Sequence, residues 1–157
     1  MHVELYEKGW MWASGAMLIL FVGAIVGSAA MQSLHPPSHI ETIDPLRVRT
    51  ETEFSSPGVR VGEDGRVTAV VVAELYRFAP SVLRVPVDTP IRFRITSPDV
   101  LHGFQVVGTN ANLVIVPGYV SEMITTFPVP GEYLIVCNEY CGTAHHSMYG
   151  RLIVETP

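Results

Sequence analysis

The chain has 157 residues and a formal net charge of −5; 48% of its residues are hydrophobic and only 16% are charged, against about 25% charged in ordinary soluble domains. That length accommodates one domain with an appendage. The acidic balance, with Lys8 the single lysine and no basic run, excludes nucleic acid as a partner, because phosphate binding needs clustered Lys and Arg. It favours a basic protein partner instead.

The shortage of charge is local. No charged residue occurs from Gly9 to Leu34, and "WMWASGAMLILFVGAIVGSAAM", Trp10 to Met31, is apolar on every helical face. At ~1.5 Å per residue this stretch reaches about 30 Å, the thickness of a bilayer's hydrocarbon core. It predicts a single membrane-spanning helix over residues 10–34, preceded by a short segment, 1–9. Trp10 and Trp12 suit the water–lipid interface, and Gly23, Gly27, Ser28 and Ala29 form a stripe that lets another helix come close. The alternative is a cleaved signal peptide ending at Ser28-Ala29-Ala30. Against it, the leading "MHVELYEKG" carries two Glu and one Lys, whereas a signal peptide opens with positive charge. The span is therefore expected to stay in the lipid bilayer, but the same lack of positive charge leaves its orientation open.

Residues 35–66, "HPPSHIETIDPLRVRTETEFSSPGVRVGEDGR", read as a connector rich in Pro and charge, without sustained periodicity. At that length part of it should lie against a surface. His35 and His39 are four apart, but no helix would align them after Pro36-Pro37, so they read as solvated.

From Val67 the pattern changes to short β-rich runs broken by turn residues. "VTAVVVAEL", "LRVPV", "PIRFRITS", "GFQVV", "NLVIVP", "EMITTFPV", "GEYLIVC" and "GRLIVE" follow one another. In "PIRFRITS" Ile91, Phe93 and Ile95 alternate with Arg92, Arg94 and Thr96, which puts apolar side chains on one face of a strand. Eight such runs predict an all-β antiparallel sandwich or barrel over residues 67–157.

Chemistry concentrates in "CNEYCGTAHHSMYG", residues 137–150, which holds both cysteines of the chain together with His145 and Met148. Thiolate, imidazole and thioether together select copper over magnesium, calcium or manganese. The spacing C-x3-C-x3-H-x2-M falls between the runs "GEYLIVC" and "GRLIVE", in a loop held at both ends. One more ligand must come from elsewhere, and His102, in "TSPDVLHGF" beside Gly103, is the candidate. Zinc is an alternative, but structural zinc favours paired short knuckles and would give Met148 no role. A Cys137–Cys141 disulfide is another; it closes so short a loop that it would stabilise little. A mononuclear blue-copper site leaves one cysteine unexplained. A dinuclear site, with two thiolates bridging two coppers, uses every one of these residues.

The pattern His…C-x-E/Q-x-C-x3-H-x2-M resembles the copper signature of the CuA cupredoxin in cytochrome c oxidase subunit II. "YEKGW", "ITSPDVLHGF", "GTN", "PGEY" and "CNEYCGTAHHSMYG" are similar to the single-helix subunit II of B-type haem–copper oxidases. The resemblance implies a cupredoxin-like Greek-key sandwich behind one transmembrane helix. It implies that Cys137 and Cys141 bridge a mixed-valence copper pair, with His102 and Met148 completing one copper and His145 and the Glu139 carbonyl the other. His146 falls outside that spacing and reads as a surface or supporting residue. An acid at the Glu139 position helps many relatives hold a magnesium ion against subunit I, whereas B-type members more often carry Gln there. The implied function is electron transfer: uptake from a c-type cytochrome or a small copper protein, and delivery to haem in subunit I, where oxygen is reduced to water and protons are pumped. Tyr76 and Phe78, in "AELYRFAPSV", occupy the loop where relatives place aromatics for electron uptake, with Tyr76 preferred. The implied location is a bacterial or archaeal cytoplasmic membrane, with the copper domain outside and residues 1–9 inside. The electron-accepting subunit of a nitric oxide reductase and a tethered copper-binding domain without electron transfer are the alternatives.

Overall fold

The structure, a computed structural model, describes residues 4–31, 41–50 and 52–156. His35 and His39 lie outside the described residues. The chain forms two compact units, one ending at His39 and the other comprising the remainder. The first contains α1, Leu5–Met31, a 27-residue helix that begins five residues before the apolar run and takes in Glu7 and Lys8. None of its side chains is buried within the chain, as befits a helix whose apolar surface meets lipid rather than a protein core.

The second unit is a sandwich of two five-stranded sheets. Its strands are β1 (Gly58–Val61), β2 (Val67–Glu74), β3 (Arg77–Ala79), β4 (Val82–Pro86), β5 (Ile91–Thr96), β6 (His102–Val106), β7 (Asn112–Ile115), β8 (Ser121–Thr125), β9 (Gly131–Val136) and β10 (Tyr149–Glu155). One sheet has the order β1-β2-β5-β8 with β3 on β2, the other β4-β10-β9-β6-β7. The pairing is mixed: β2 with β5 and β4 with β10 are parallel, where an antiparallel sandwich was expected. Two strands exceed the eight expected: β1, four residues long, lies within the stretch read as a connector, and β3 has only three residues.

The two sheets meet over Ala69, Val71, Phe93, Ile95, Phe104, Ile135 and Leu152 among others. Along β5 the alternation is realised, with Ile91, Phe93 and Ile95 buried in this core. Aromatic rings run through it in contact: Phe78 edge-on to Phe104 at 5.6 Å, Phe104 with Phe93 at 5.5 Å, Phe93 with Phe127 at 6.2 Å, and Phe127 with Tyr133 at 5.8 Å. Such pairs add stability beyond their buried area.

β2 reads as a continuous apolar run because both of its faces are covered. Val70 and Val72 point away from the main core and are buried under Val48 and Phe54. Those two residues belong to the stretch expected to be a connector. From Glu41 onward that stretch lies on the sheet. Residues 41–43 bond to 118–120, through Ile43 N–H to the Gly118 carbonyl at 3.0 Å and Val120 N–H to the Glu41 carbonyl at 2.9 Å. Short 3-10 turns follow at Pro45–Arg47 and Glu53–Ser55, capped by the side chains of Asp44 and Thr52.

Arg94 fastens this cover. Its guanidinium bonds Glu41 and Glu53 at 2.7 Å and Glu122 at 2.9 Å, with only 11% of the side chain exposed. Arg92 grips the same Glu122 through two bonds of 2.8 and 2.7 Å. Burial would lower the Arg94 pKa, but the carboxylates around it raise it instead. Arg92, and after it Arg94, in turn hold the Glu122 carboxyl below its ordinary value against the opposing effect of burial.

Arg94→Ala should cost about 1.5–3 kcal/mol, the range of a hydrogen bond to a charged group, because Glu41 and Glu53 lose this cation while Arg92 still holds Glu122. Guanidinium unfolding would measure it, and limited proteolysis should then cut within residues 41–55 first. Glu122 adds an acid-side dependence. The unfolded chain protonates it at a pH where the folded chain does not, so its contribution is complete above about 4.5 and disappears as pH falls through the depressed native value. Glu122→Gln should flatten that part of the curve of melting temperature against pH.

Candidate metal centre

Residues 137–148 form a loop between neighbouring antiparallel strands. β9 and β10 pair from Gly131↔Val154 to Tyr149↔Val136, and Cys137 N–H bonds to the Met148 carbonyl at 3.2 Å to close the loop's base. Inside it a 3-10 turn, His145–Ser147, is secured by His145 N–H to Gly142 and Met148 N–H to His145. The loop's conformation is thus set by the ladder beneath it and by its own turn.

The fold brings the six expected ligands together. Cys137 Sγ and Cys141 Sγ are 3.9 Å apart, buried and unbonded, against about 2.0 Å in a disulfide. His102 Nδ1 lies 3.9 Å from Cys137 Sγ, and the Glu139 carbonyl oxygen lies 3.1 Å from the same sulfur. His145 Nδ1 and Met148 Sδ lie 3.5 and 3.7 Å from Cys141 Sγ. The ligating atoms of His102, Cys137 and Cys141 all fall within 4.8 Å of one another. His102 comes from the start of β6 and is fully buried, whereas His145 is half-exposed. His146 points outward and contributes no atom to the cluster.

Burial pushes the Cys141 thiol up to about 11, and the neighbouring Cys137 sulfur adds to the rise. Two thiolates side by side in this apolar setting need cations to balance them. A set of two sulfurs, two imidazole nitrogens, a buried thioether and a carbonyl oxygen fits copper. Zinc would leave Met148, only 2% exposed and turned toward Cys141, without a function.

Two side chains that the sequence pattern did not single out support the ligands. Asp99 Oδ1 is 2.8 Å from His102 Nε2. The same carboxylate accepts from the Leu75 and Val100 amides at 2.7 and 2.6 Å and from the Ser97 hydroxyl at 3.0 Å. Burial would raise the Asp99 pKa; the bonds from His102, Val100, Leu75 and Ser97 outweigh it and hold the group below its ordinary value. An ionised Asp99 accepts a hydrogen bond from Nε2–H of His102, the tautomer that leaves Nδ1 free to ligate. Tyr140 is the second. It is exposed on the ligand loop, its ring 5.8 Å from the His145 imidazole.

Of the two aromatics expected to serve electron uptake, Phe78 is 2% exposed and packed on Phe104. It has no face for a docking protein, since β3 turns its side chain into the core. Tyr76 is half-buried against the ligand loop, its hydroxyl 3.4 Å from Thr143 Oγ1. Its φ is 70°, a left-handed conformation that a bulky residue takes only when its surroundings impose it. Gly142 receives the ring: a Cβ there would strike the Tyr76 hydroxyl, and its φ of 134° also favours glycine.

This architecture, a cupredoxin-like sandwich carrying a sulfur–imidazole metal loop behind a single apolar helix, defines a tethered copper-domain protein. A family model described as the periplasmic domain of cytochrome c oxidase subunit II matches residues 71–156. Cytochrome c oxidase subunit 2 of Thermus thermophilus is 42% identical over 154 residues, spanning 96% of this chain and 92% of that protein. Heme-copper oxidase subunit 2 of Aeropyrum pernix is 42% identical over 74 residues, 46% of this chain and 32% of that one. Among solved structures, a chain of a heme-copper terminal oxidase dimer superposes with a TM-score of 0.72 at 28% identity, over 96% of this chain and 99% of that one. The periplasmic domain of cytochrome oxidase subunit II from Bradyrhizobium japonicum shares the fold at 18% identity and a TM-score of 0.53, over 64% and 88%. The chain belongs to the cytochrome c oxidase subunit II family.

Removing the Asp99 carboxylate should weaken the site without removing a ligand. Asp99→Ala is expected to lower copper affinity about 10–100-fold, the usual effect of losing a ligand's outer hydrogen-bond partner. Competition with a copper chelator would measure this; wild-type affinity in the variant would show that His102 is oriented by other contacts.

Proposed function

We propose that Cys137 and Cys141 bridge two copper ions, with His102 and Met148 completing one and His145 and the Glu139 carbonyl the other. The observation that carries this reading is the sulfur pair itself: 3.9 Å apart, unbonded, with ligand atoms on both sides. Bound there, copper supplies reversible one-electron chemistry. The chain supplies two thiolates to balance the metal charge, a β-scaffold that holds the ligands in one geometry, and an apolar core that keeps water from His102.

In this reading the protein is the electron-accepting subunit of a haem–copper oxidase. Electrons arrive one at a time from a c-type cytochrome or small copper protein and pass to haem in subunit I, which reduces oxygen to water and pumps protons. Such donors work outside the cytoplasmic membrane, so the sandwich faces outward and residues 1–9 inward. The Glu139 side chain, next to the ligand carbonyl, is the group to hold a magnesium ion against subunit I. A copper carrier must hand its metal over, and ligands as buried as His102, Cys137, Cys141 and Met148 disfavour that role.

Loading the metal-free full chain with copper should give two coppers per chain, a purple colour and a seven-line copper EPR pattern. One copper with a four-line spectrum would overturn the dinuclear assignment. Tyr76→Ala should retain the seven-line spectrum yet be reduced several-fold more slowly by a c-type cytochrome in stopped flow. An unchanged rate would take Tyr76 out of the electron path.

A further inference from the structure

His102 opens β6, and Cys137 follows directly on its neighbour β9. The backbone pairing of these strands consists of Gln105↔Val136 and Val106↔Ile135 and goes no further toward the site. Beyond Gln105 the two backbones stay close, a Cβ on Gly103 falling 2.9 Å from the Asn138 nitrogen, but the ladder pairing does not continue. The ladder bonds that would otherwise fix how far apart the two ligands lie are therefore missing at this end. The Gly103 N–H, on the side facing β9, donates to Cys137 Sγ at 3.5 Å.

A side-chain bond reaches further across this unpaired end. Asn138, the residue after Cys137, donates from Nδ2 to Asn112 Oδ1 at 3.1 Å. Asn112 opens β7, which lies on the far side of β6 from β9. The Asn138 carboxamide therefore has to cross β6. It crosses at Gly103, where an added Cβ would run into the Asn138 side chain and crowd its backbone nitrogen. A glycine next to the ligand histidine is what the crossing requires.

We propose that Asn138 is a positioning residue for Cys137. Its bridge to Asn112 takes over where the β6–β9 ladder stops, and keeps the Cys137 sulfur against the Gly103 amide and at a fixed distance from His102. An amide hydrogen bond draws charge from a thiolate, so hydrogen bonding around a ligating sulfur tunes the potential of the metal it binds. Here the bond raises that potential. The effect on potential rests on the copper reading above; the bridge itself belongs to the metal-free chain.

The test uses the full chain in detergent, metal-free and reduced, with iodoacetamide as probe and mass spectrometry to follow each cysteine. In Asn138→Ala and Asn112→Ala, Cys137 should be alkylated about two- to fivefold faster, the factor that a hydrogen bond at the lower end of the usual net range represents at this exposed position. Cys141 should keep its rate, and the double variant should be no faster than either single one. Asn112→Asp keeps the acceptor and should behave as wild type, whereas Asn138→Leu, of similar size but with neither donor nor acceptor, should behave as Asn138→Ala. Equal Cys137 rates in all variants, or an equal rise at Cys141 that signals general loosening, would overturn the proposal. After copper loading, Asn138→Ala should show a lower reduction potential than wild type. An unchanged potential beside a faster Cys137 would remove the tuning role. If wild type takes up one copper, the dinuclear reading fails while the alkylation contrast still decides the bridge. If it takes up two without any contrast, the bridge fails and the copper reading stands.

Discussion

Two sulfur atoms held side by side in an apolar interior, close but not joined, set the terms for the rest of this structure. Left to itself the Cys141 thiol would stay protonated, since burial and the neighbouring Cys137 sulfur both oppose its thiolate, and a pair free to move together could close into a disulfide. A fold that keeps them 3.9 Å apart must resist both outcomes before any metal arrives. The resistance comes from below through the β9–β10 ladder, from within through the 3-10 turn that places His145 and Met148, and from the side through Tyr76 seated on Gly142. The β2–β3 turn that carries Tyr76 also carries the Leu75 amide, which bonds to Asp99, and Asp99 orients His102. One turn thus supports both the ligand loop and the ligand that comes from outside it.

The residues proposed as copper ligands were more legible in the sequence than the fold. Ligand chemistry is carried by a few residue types at fixed spacing, so residues 137–148 and His102 could be recognised without knowing how strands pair. β5 was equally legible, because alternation of Ile and Phe with Arg reports a strand covered on one face. The stretch from Glu41 to Val61 was not. Its composition is that of a connector, and only Val48 and Phe54, isolated among polar residues, hint that it covers something. The complementary hint lay in β2, where Ala69 to Ala73 are apolar without a break, as a strand buried on both faces must be. The parallel pairings were out of reach, since they join segments distant in sequence and leave no local pattern. Asp99 and Asn138 escaped for another reason: an Asp three residues before a histidine and an Asn beside a cysteine are commonplace, and only coordinates show what they touch. Phe78 shows the converse, an aromatic near the site in sequence whose side chain β3 directs into the core.

The Arg94 cluster has a structural role distinct from the site. A guanidinium shared by Glu41, Glu53 and Glu122 ties the first described residue after the helix, a residue of the 3-10 cover and the edge strand β8 to a single point on β5. Shared cations of this kind are specific about geometry more than they are strong. Here the geometry decides where the chain enters the sandwich.

The aromatic column through the core has a consequence for how charge is accommodated. Phe104, Phe93, Phe127 and Phe78 are nonpolar rings in close packing, so the side of the site that backs onto them holds almost no dipoles free to turn when the charge on the sulfur pair changes. The opposite side differs. A depression of about 310 Å³ bordered by Leu134, His145, His146 and Tyr149 admits water beside the half-exposed imidazole. The dielectric response of the centre is therefore lopsided, stiff toward the protein and soft toward solvent. Under the electron-transfer reading proposed above, a donor that covered that depression would expel the soft part and leave a surrounding that barely polarises, so its contact would itself lower the barrier.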